Sequence, residues 1–467
     1  MNYRSGTDCS EQFHKFHAPS VLTKTAAPFK IGTIGEGDVE ELVAASEEVE
    51  EDETYFGDLV PFGDPLWYQD WASPYYNDSH RKLRSAIRKF TDEHLTPNAL
   101  AWDEAKAIPP EEYKRVADAG ILAGLAAGGS GWQFEFAEGI NVPGNIDPKQ
   151  WDSFHNFILV DEISRCGSGG ILYGIIGGFG IGLPPVLHFG TEELKMRVVP
   201  PCLKGEKRIA LAITEPGAGS DVASLTTSAR LTPDGKYYII TNGVTADYFV
   251  TAVRTGGKGM MGLSLLVVER TTGVKTTAMS CQGVWASGTT YITFEDVLVP
   301  VGNLLGTENK GFQLIMANFN PERIGIAIQE SIKYASKRKT FGVLLRDHPV
   351  IRQKLAKMSC AVEATHAWLE SIIYQSTIYD ADSLTMRGGG MIALLKVQAT
   401  DTFDFCAREA SQIFGGAAYT RGGQGEKIER LYRDVRGYTI PGGSSEIMLD
   451  LGMRQAIKIA TIMGAKL

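Results

Sequence analysis

At 467 residues the chain exceeds the usual size of one hydrophobic core, and its 43% hydrophobic and 22% charged residues exclude a wholly disordered protein. The net charge of −9 comes from one block, residues 36–53, which holds ten carboxylates and no Lys or Arg. The rest is within one charge of neutral, so the basic field that nucleic-acid binding needs is missing. The six cysteines (9, 166, 202, 281, 360, 406) form no Cys-x-x-Cys and no Cys/His cluster, which argues against a zinc site or disulfide framework and fits a reduced compartment.

Residues 1–58 read as an acidic leader, more simply a solvated tail than a partner-binding segment. The first 30 residues have no apolar h-region, which excludes a secretory signal and leaves a weak mitochondrial one. From Asp78 onward apolar residues recur at helical spacing (Leu83, Ile87, Phe90, Leu95), and helical patterns run to about residue 205. Within them, the uncharged run CGSGGILYGIIGGFGIGLPPVL (Cys166–Leu187) is long enough to span a bilayer. Its eight glycines instead predict a buried helix, closely packed or lining a cavity, and no membrane span.

The texture then turns to period-two segments, KYYIITNG, DYFVTAVRT, LSLLVVE and TTYITFEDVLVP, separated by Gly, Asp and Pro turns: a β domain over 206–305. Long helical patterns return to the end, among them the one starting at MIALLKVQAT (Met391). The C-terminal Ala465-Lys466-Leu467 resembles the peroxisomal S-K-L tripeptide, so a peroxisomal location is expected, with the mitochondrial matrix or cytoplasm as alternatives.

Two stretches carry candidate chemistry on their residues alone. In RIALAITEPGAGSDVASL (Arg208–Leu225), Gly217 and Gly219 allow backbone N–H groups to turn toward a ligand beside the Thr214 and Ser220 hydroxyls; an ordinary tight turn explains the pattern equally well. It matches neither G-x-G-x-x-G nor the P-loop. In FNPER, Glu322 falls on the apolar stripe of Phe312, Ile315, Phe319 and Ile326, where a carboxylate has a raised pKa suited to a general base. A Glu paired with a nearby cation on a solvated face is the alternative. Pro321 predicts a kink or a new helix capped by Asn320, with Glu322 in its first turn.

Taken in order with KRKTFG (Lys337–Gly342), QIFGG (Gln412–Gly416) and RDVRGYTIPGGSSEI (Arg433–Ile447), the TEPGAGSD loop resembles the acyl-CoA dehydrogenase family from about residue 60 to the end. The resemblance implies an α+β fold class: a helical N-terminal domain (59–205), a middle β-barrel (206–305), a C-terminal four-helix domain (306–467), and bound FAD. It assigns Leu211, Ile213, Thr214, Gly219 and Ser220 to flavin and substrate contacts, with Ile239 and Thr241 behind the flavin and Ile239 where relatives usually carry an aromatic. Arg338, Thr340 and Phe341 would reach the cofactor of a neighbouring subunit, met there by Gln412, Gly415 and Gly416, which implies a homodimer or homotetramer. Ser444 and Glu446 fall near the FAD, although Glu446 serves equally as a cap of the following helix.

Many relatives carry the catalytic glutamate after a tyrosine-containing strand, where this chain has Gly442. A second family arrangement puts it on a C-terminal-domain helix, and Glu322 fits that position. Gly442 N–H then becomes a donor to the thioester oxygen, and Ser220, Asn320, Arg323 and Gly443 become substrate contacts. The implied activity is α,β-dehydrogenation of an acyl-CoA to a trans-2-enoyl-CoA, with electron-transfer flavoprotein or molecular oxygen as acceptor. A flavin oxidase or monooxygenase on a non-CoA substrate, and an inactive flavoprotein with a binding role, are the rival readings.

Overall fold

The computed structural model describes residues 55–129, 131–233, 236–240, 246–312 and 326–465; the acid block, Thr241, Asn320, Glu322 and Arg323 lie outside them. Residues 55–59 with Leu66–Trp71 form a small unit of their own, in which Phe56 N–H donates to Tyr68 O at 2.9 Å and the Phe56 and Trp67 rings meet Tyr68 edge-on. All that follows concerns the larger unit.

Its first part is helical: α1 (Asp78–Phe90), α2 (Ala99–Ala105), α3 (Pro110–Asp118), α4 (Ile121–Ala127), α5 (Ser153–Ser164), α6 (Gly169–Leu172), α7 (Gly178–Phe189) and α8 (Glu192–Leu203). Leu83, Ile87 and Leu95 are buried as their spacing predicts. Capping boxes start α1 and α5. Asn77 accepts from Ser79 N–H at 2.9 Å while its own N–H donates to His80 Nδ1 at 3.0 Å. Asp152 accepts from the N–H groups of Phe154 and His155 while its N–H donates to His155 Nδ1 at 3.2 Å. The two boxes interlock, with the His80 and His155 rings stacked 3.9 Å apart, Ser79 Oγ 3.0 Å from His155 Nε2 and His80 Nε2 3.2 Å from Asp152 Oδ1. Although His80, Asp152 and His155 bring ligand atoms within 4.8 Å of one another, helix capping accounts for the cluster.

The glycine-rich stretch runs through α6, a π-turn at Tyr173–Gly177, and α7. By length and composition alone it could cross a membrane, yet its glycines abut protein. A Cβ on Gly170 would lie 2.6 Å from Ala286 N, one on Gly174 2.6 Å from Ile108 Cδ1, and one on Gly178 2.8 Å from Ile209 O. Close packing, rather than a cavity wall, is what these positions require.

The middle strands are β1 (Ile209–Ala212), β2 (Ser228–Leu231), β3 (Lys236–Ile240), β4 (Tyr248–Arg254), β5 (Leu263–Glu269), β6 (Val274–Ala278), β7 (Thr290–Phe294), β8 (Val297–Pro300) and β9 (Leu304–Leu305). A seven-stranded sheet follows the order β8-β3-β2-β4-β5-β9, with β1 parallel to β4 so that Leu211 sits opposite Val250. The β6–β7 hairpin shares the sheet's core through Val274, Ile292 and Phe294 packed with Phe249, Val253 and Leu266.

The last part contains α9 (Ile326–Ala335), the small hairpin β10 (Lys339–Thr340) and β11 (Val343–Leu344), and then α10 (Pro349–Ile378), α11 (Ala381–Phe414), α12 (Gly416–Tyr419), α13 (Glu426–Thr439) and α14 (Ser445–Ile462). Ile328, Met358, Cys406, Ala410, Leu431 and Val435 form its core, each large apolar side chain contributing on the order of 1.5–3 kcal/mol by burial. Two expectations are corrected here. Helix α11 begins ten residues before Met391 and carries three successive glycines, Gly388–Gly390. Tyr438, expected on a strand, belongs to the last turn of α13.

Candidate active site

The TEPGAGSD loop leaves β1 and folds on itself through paired Glu215 and Ala218 backbones, at 3.1 and 2.9 Å. Glu215 then anchors it. One carboxylate oxygen accepts from Thr226 N–H and Oγ1 (2.6 and 2.5 Å), the other from Thr227 N–H and Oγ1 (2.9 and 2.6 Å). Partial burial opposes the charge, but these four donors outweigh it and hold Glu215 below its ordinary pKa. Arg254 fixes the far side of the loop by donating to Leu225 O at 2.8 Å and Ala223 O at 2.7 Å. Thr214, Gly217, Gly219 and Ser220 are left exposed. Neither glycine has a positive φ, so backbone strain does not demand glycine at either position. What they provide is room: a Cβ on either meets no protein atom within 4 Å.

The second loop, Ile440–Ser444, follows α13 and is aimed by that helix. Asp434 Oδ1 accepts from Val284 N–H at 2.6 Å and Oδ2 from Gly169 N–H at 2.9 Å, bolting α13 to the middle and N-terminal domains. Burial pushes this carboxyl up to about 6 despite the N–H of Val284 and the Arg433 guanidinium. Arg433 itself donates to Asp103 at 2.7 Å and lies 3.9 Å from the Trp285 ring. From Lys396 on α11, Nζ donates to Thr439 O at 2.9 Å and Gly443 O at 2.7 Å, closing the loop from both ends. Gly442 and Gly443 have φ of +73° and +98°, conformations that glycine adopts without strain.

The two loops meet where Ser444 N–H approaches Ser220 Oγ at 3.5 Å. Thus the structure brings Ser220 of the first loop to Ser444 of the second, although they are far apart in sequence. Glu446 is exposed in the first turn of α14, whose N-cap Ser444 makes no side-chain cap bond, and its own backbone N–H and then the Ser444 hydroxyl hold its carboxyl below the ordinary value. Ile239 lies in β3 opposite Ala229 and Val297. Arg338 and Phe341 are exposed at the β10–β11 hairpin, Thr340 Oγ1 lies 2.9 Å from His348 Nε2, and Gln412, Gly415 and Gly416 are exposed at the end of α11. Sequence reasoning missed Glu215, Lys396 and Asp434. Two of these stand inside the quoted motifs, and the third is a lone lysine in the apolar run ALLKVQA.

Family models described as the N-terminal, middle and C-terminal domains of acyl-CoA dehydrogenase match residues 77–206, 210–297 and 309–457. An acyl-CoA dehydrogenase of Emericella nidulans is 39% identical over 419 residues, 86% of this chain and 96% of the relative. The chain belongs to the acyl-CoA dehydrogenase family. Its members are flavin-dependent oxidoreductases that use acyl-CoA substrates. A probable acyl-CoA dehydrogenase from Mycobacterium abscessus shares 31% identity with a TM-score of 0.70, covering 82% of this chain and 99% of that one. An acyl-CoA dehydrogenase of Bacillus anthracis, complexed with FAD, has the same fold at 23% identity and a TM-score of 0.70, over 84% of this chain and 69% of that one. The residues of this acyl-CoA dehydrogenase fit such a group. Exposed hydroxyls flank the first loop, and added Cβ atoms on Gly217, Gly219, Gly415 and Gly416 would enter space that no protein atom fills.

Proposed function

We propose that this acyl-CoA dehydrogenase converts an acyl-CoA into a trans-2-enoyl-CoA with FAD. The reading rests on one observation above all: two loops from different domains meet at Ser220 and Ser444, and the second presents backbone at Gly442 where a side chain would otherwise act. FAD, when bound, supplies the acceptor for the hydride leaving the β carbon. Glu322 takes the α proton, and Gly442 N–H donates to the thioester oxygen as negative charge builds there. Ser220 and Gly443 border the substrate, and Asn320 and Arg323 its CoA portion. Glu322 is supported by the sequence alone, through the apolar stripe and the absent side chain at 442.

A second copy of the chain completes the cofactor site in this proposal. Phe341 supports it: the ring is 98% exposed at a hairpin tip with φ of +49°, a strained placement for a bulky residue that meets its own subunit edge-on at the His348 ring, 6.3 Å away. Electron-transfer flavoprotein or molecular oxygen would take up the two electrons removed from the substrate.

The test is anaerobic titration of the FAD-loaded protein with acyl-CoAs of graded length and branching, followed by flavin absorbance. Bleaching with a thioester, and the matching enoyl-CoA in the quench, is the expected result. A flavin that no thioester bleaches overturns the reading and favours a non-CoA substrate or a binding role.

A further inference from the structure

The loop Ile440–Gly443 is short of internal means to hold its shape. Ile440 N–H is committed to Arg436 O at 3.3 Å in the helix end, Pro441 has no N–H, and the glycines have no side chains to anchor them. Among the described residues no hydrogen bond engages Gly442 N–H or Gly443 N–H. These two donors sit at positive φ between two carbonyls that are both fixed, Thr439 O and Gly443 O. One ammonium fixes both, that of Lys396. Pinning the Gly443 carbonyl also fixes the plane of the next peptide, whose Ser444 N–H points to Ser220 Oγ.

We propose that Lys396 is a positioning residue for the dehydrogenation: by gripping Thr439 O and Gly443 O it presets the Gly442 and Gly443 N–H groups toward the thioester oxygen. This rests on the function proposed above. Lys396 never touches the substrate; it acts through the peptide planes of the loop. A donor set pre-aimed in this way stabilises developing oxyanion charge without having to reorganise during the reaction. The lysine is half buried, and Asp401 on its own helix and Glu446 on α14 are the carboxylates that counter the cost of burying its charge.

Two variants in the FAD-loaded protein test the assignment, Lys396→Met and Lys396→Arg. Two quantities are read in each: the anaerobic rate of flavin reduction by a thioester that bleaches the unmodified protein, and the isotope-edited infrared stretch of a bound enoyl-CoA labelled with carbon-13 at its carbonyl. Carbonyl polarisation lowers that frequency, and a purely structural lysine would leave the shift in place. For Lys396→Met the expected result is a rate about 100-fold lower, the scale of losing one oxyanion donor, together with loss of the carbonyl shift while the enoyl-CoA still binds. Lys396→Arg, which keeps the charge but not the single-atom grip, should recover part of both together. If Lys396→Met does not fold, the arginine variant decides alone. A fall in rate without a change in carbonyl shift overturns the assignment, as does an unchanged rate and shift in Lys396→Met. Failure of the unmodified protein to bleach with any thioester refutes the dehydrogenase reading instead, so the two failures are distinguishable.

Discussion

Ser444 N–H stands 3.5 Å from Ser220 Oγ, joining a loop of the middle domain to one of the C-terminal domain. A bond at that distance is weak, worth well under about 1 kcal/mol, so stability does not explain why two hydroxyl-bearing loops converge there. Ser220→Ala should leave the melting temperature of the flavin-free protein within about 2 °C of the unmodified one. It should weaken FAD retention by about 10-fold, the value of one lost hydrogen bond to a bound group. Fluorescence titration of FAD reads the second quantity; unchanged retention would remove Ser220 from the cofactor site.

Glu322→Gln is isosteric and cannot accept a proton at neutral pH. Flavin reduction by the best thioester should slow by about 1,000-fold or more, within the range general-base catalysis contributes, while thioester binding changes little. Rapid-mixing absorbance measures the reduction. A variant that bleaches at the normal rate refutes the base.

Asp434 makes a pH prediction whose sign follows from its buried, bolted position. Its folded pKa of about 6 lies above the ordinary aspartate value of 3.8. Between those values the folded protein holds a proton that the unfolded chain has released, so this group's stabilising contribution is largest below about 4 and is lost as pH rises through about 6. Asp434→Asn removes that slope and, having one carbonyl for two N–H donors, lowers stability by roughly 1–3 kcal/mol. Denaturant midpoints from pH 4.5 to 7 should converge for the two proteins toward high pH, where the carboxylate pays most for its charge. Parallel curves would show that Asp434 does not titrate in this range.

Hydrophobic period, turn residues and ordered motifs made the three-part architecture legible in the sequence. The β segments at 248–254 and 263–269 stand where their patterns placed them. What stayed hidden has physical reasons. Gly388–Gly390 read as a break because local propensity disfavours helix there, yet packing against α14 carries α11 through them. Lys396 drew no attention because sequence does not reveal that two carbonyls end beside it. The meeting of Ser220 and Ser444 was legible only through resemblance, since no pattern of spacing relates positions 224 residues apart.

Gly389 and Gly390 of α11 and Gly452 of α14 give a prediction with its own control. A Cβ on Gly390 would stand 2.8 Å from Gly452 O, a backbone atom that cannot swing away, and one on Gly452 would stand 2.7 Å from Leu394 and 3.1 Å from Gly390 O. The helices α11 and α14 therefore cross with their backbones nearly touching, and either substitution forces them apart. Gly390→Ala and Gly452→Ala should each cost about 1–3 kcal/mol through overpacking. Gly389 is one residue away on the same helix, and its added Cβ meets nothing within 4 Å. There alanine only removes the entropic penalty of glycine, so Gly389→Ala should stabilise by about 0.5–1 kcal/mol. Since propensity alone predicts a gain at all three positions, opposite signs at 389 and 390 in urea denaturation isolate the helix crossing as the cause, and a gain at 390 would refute it.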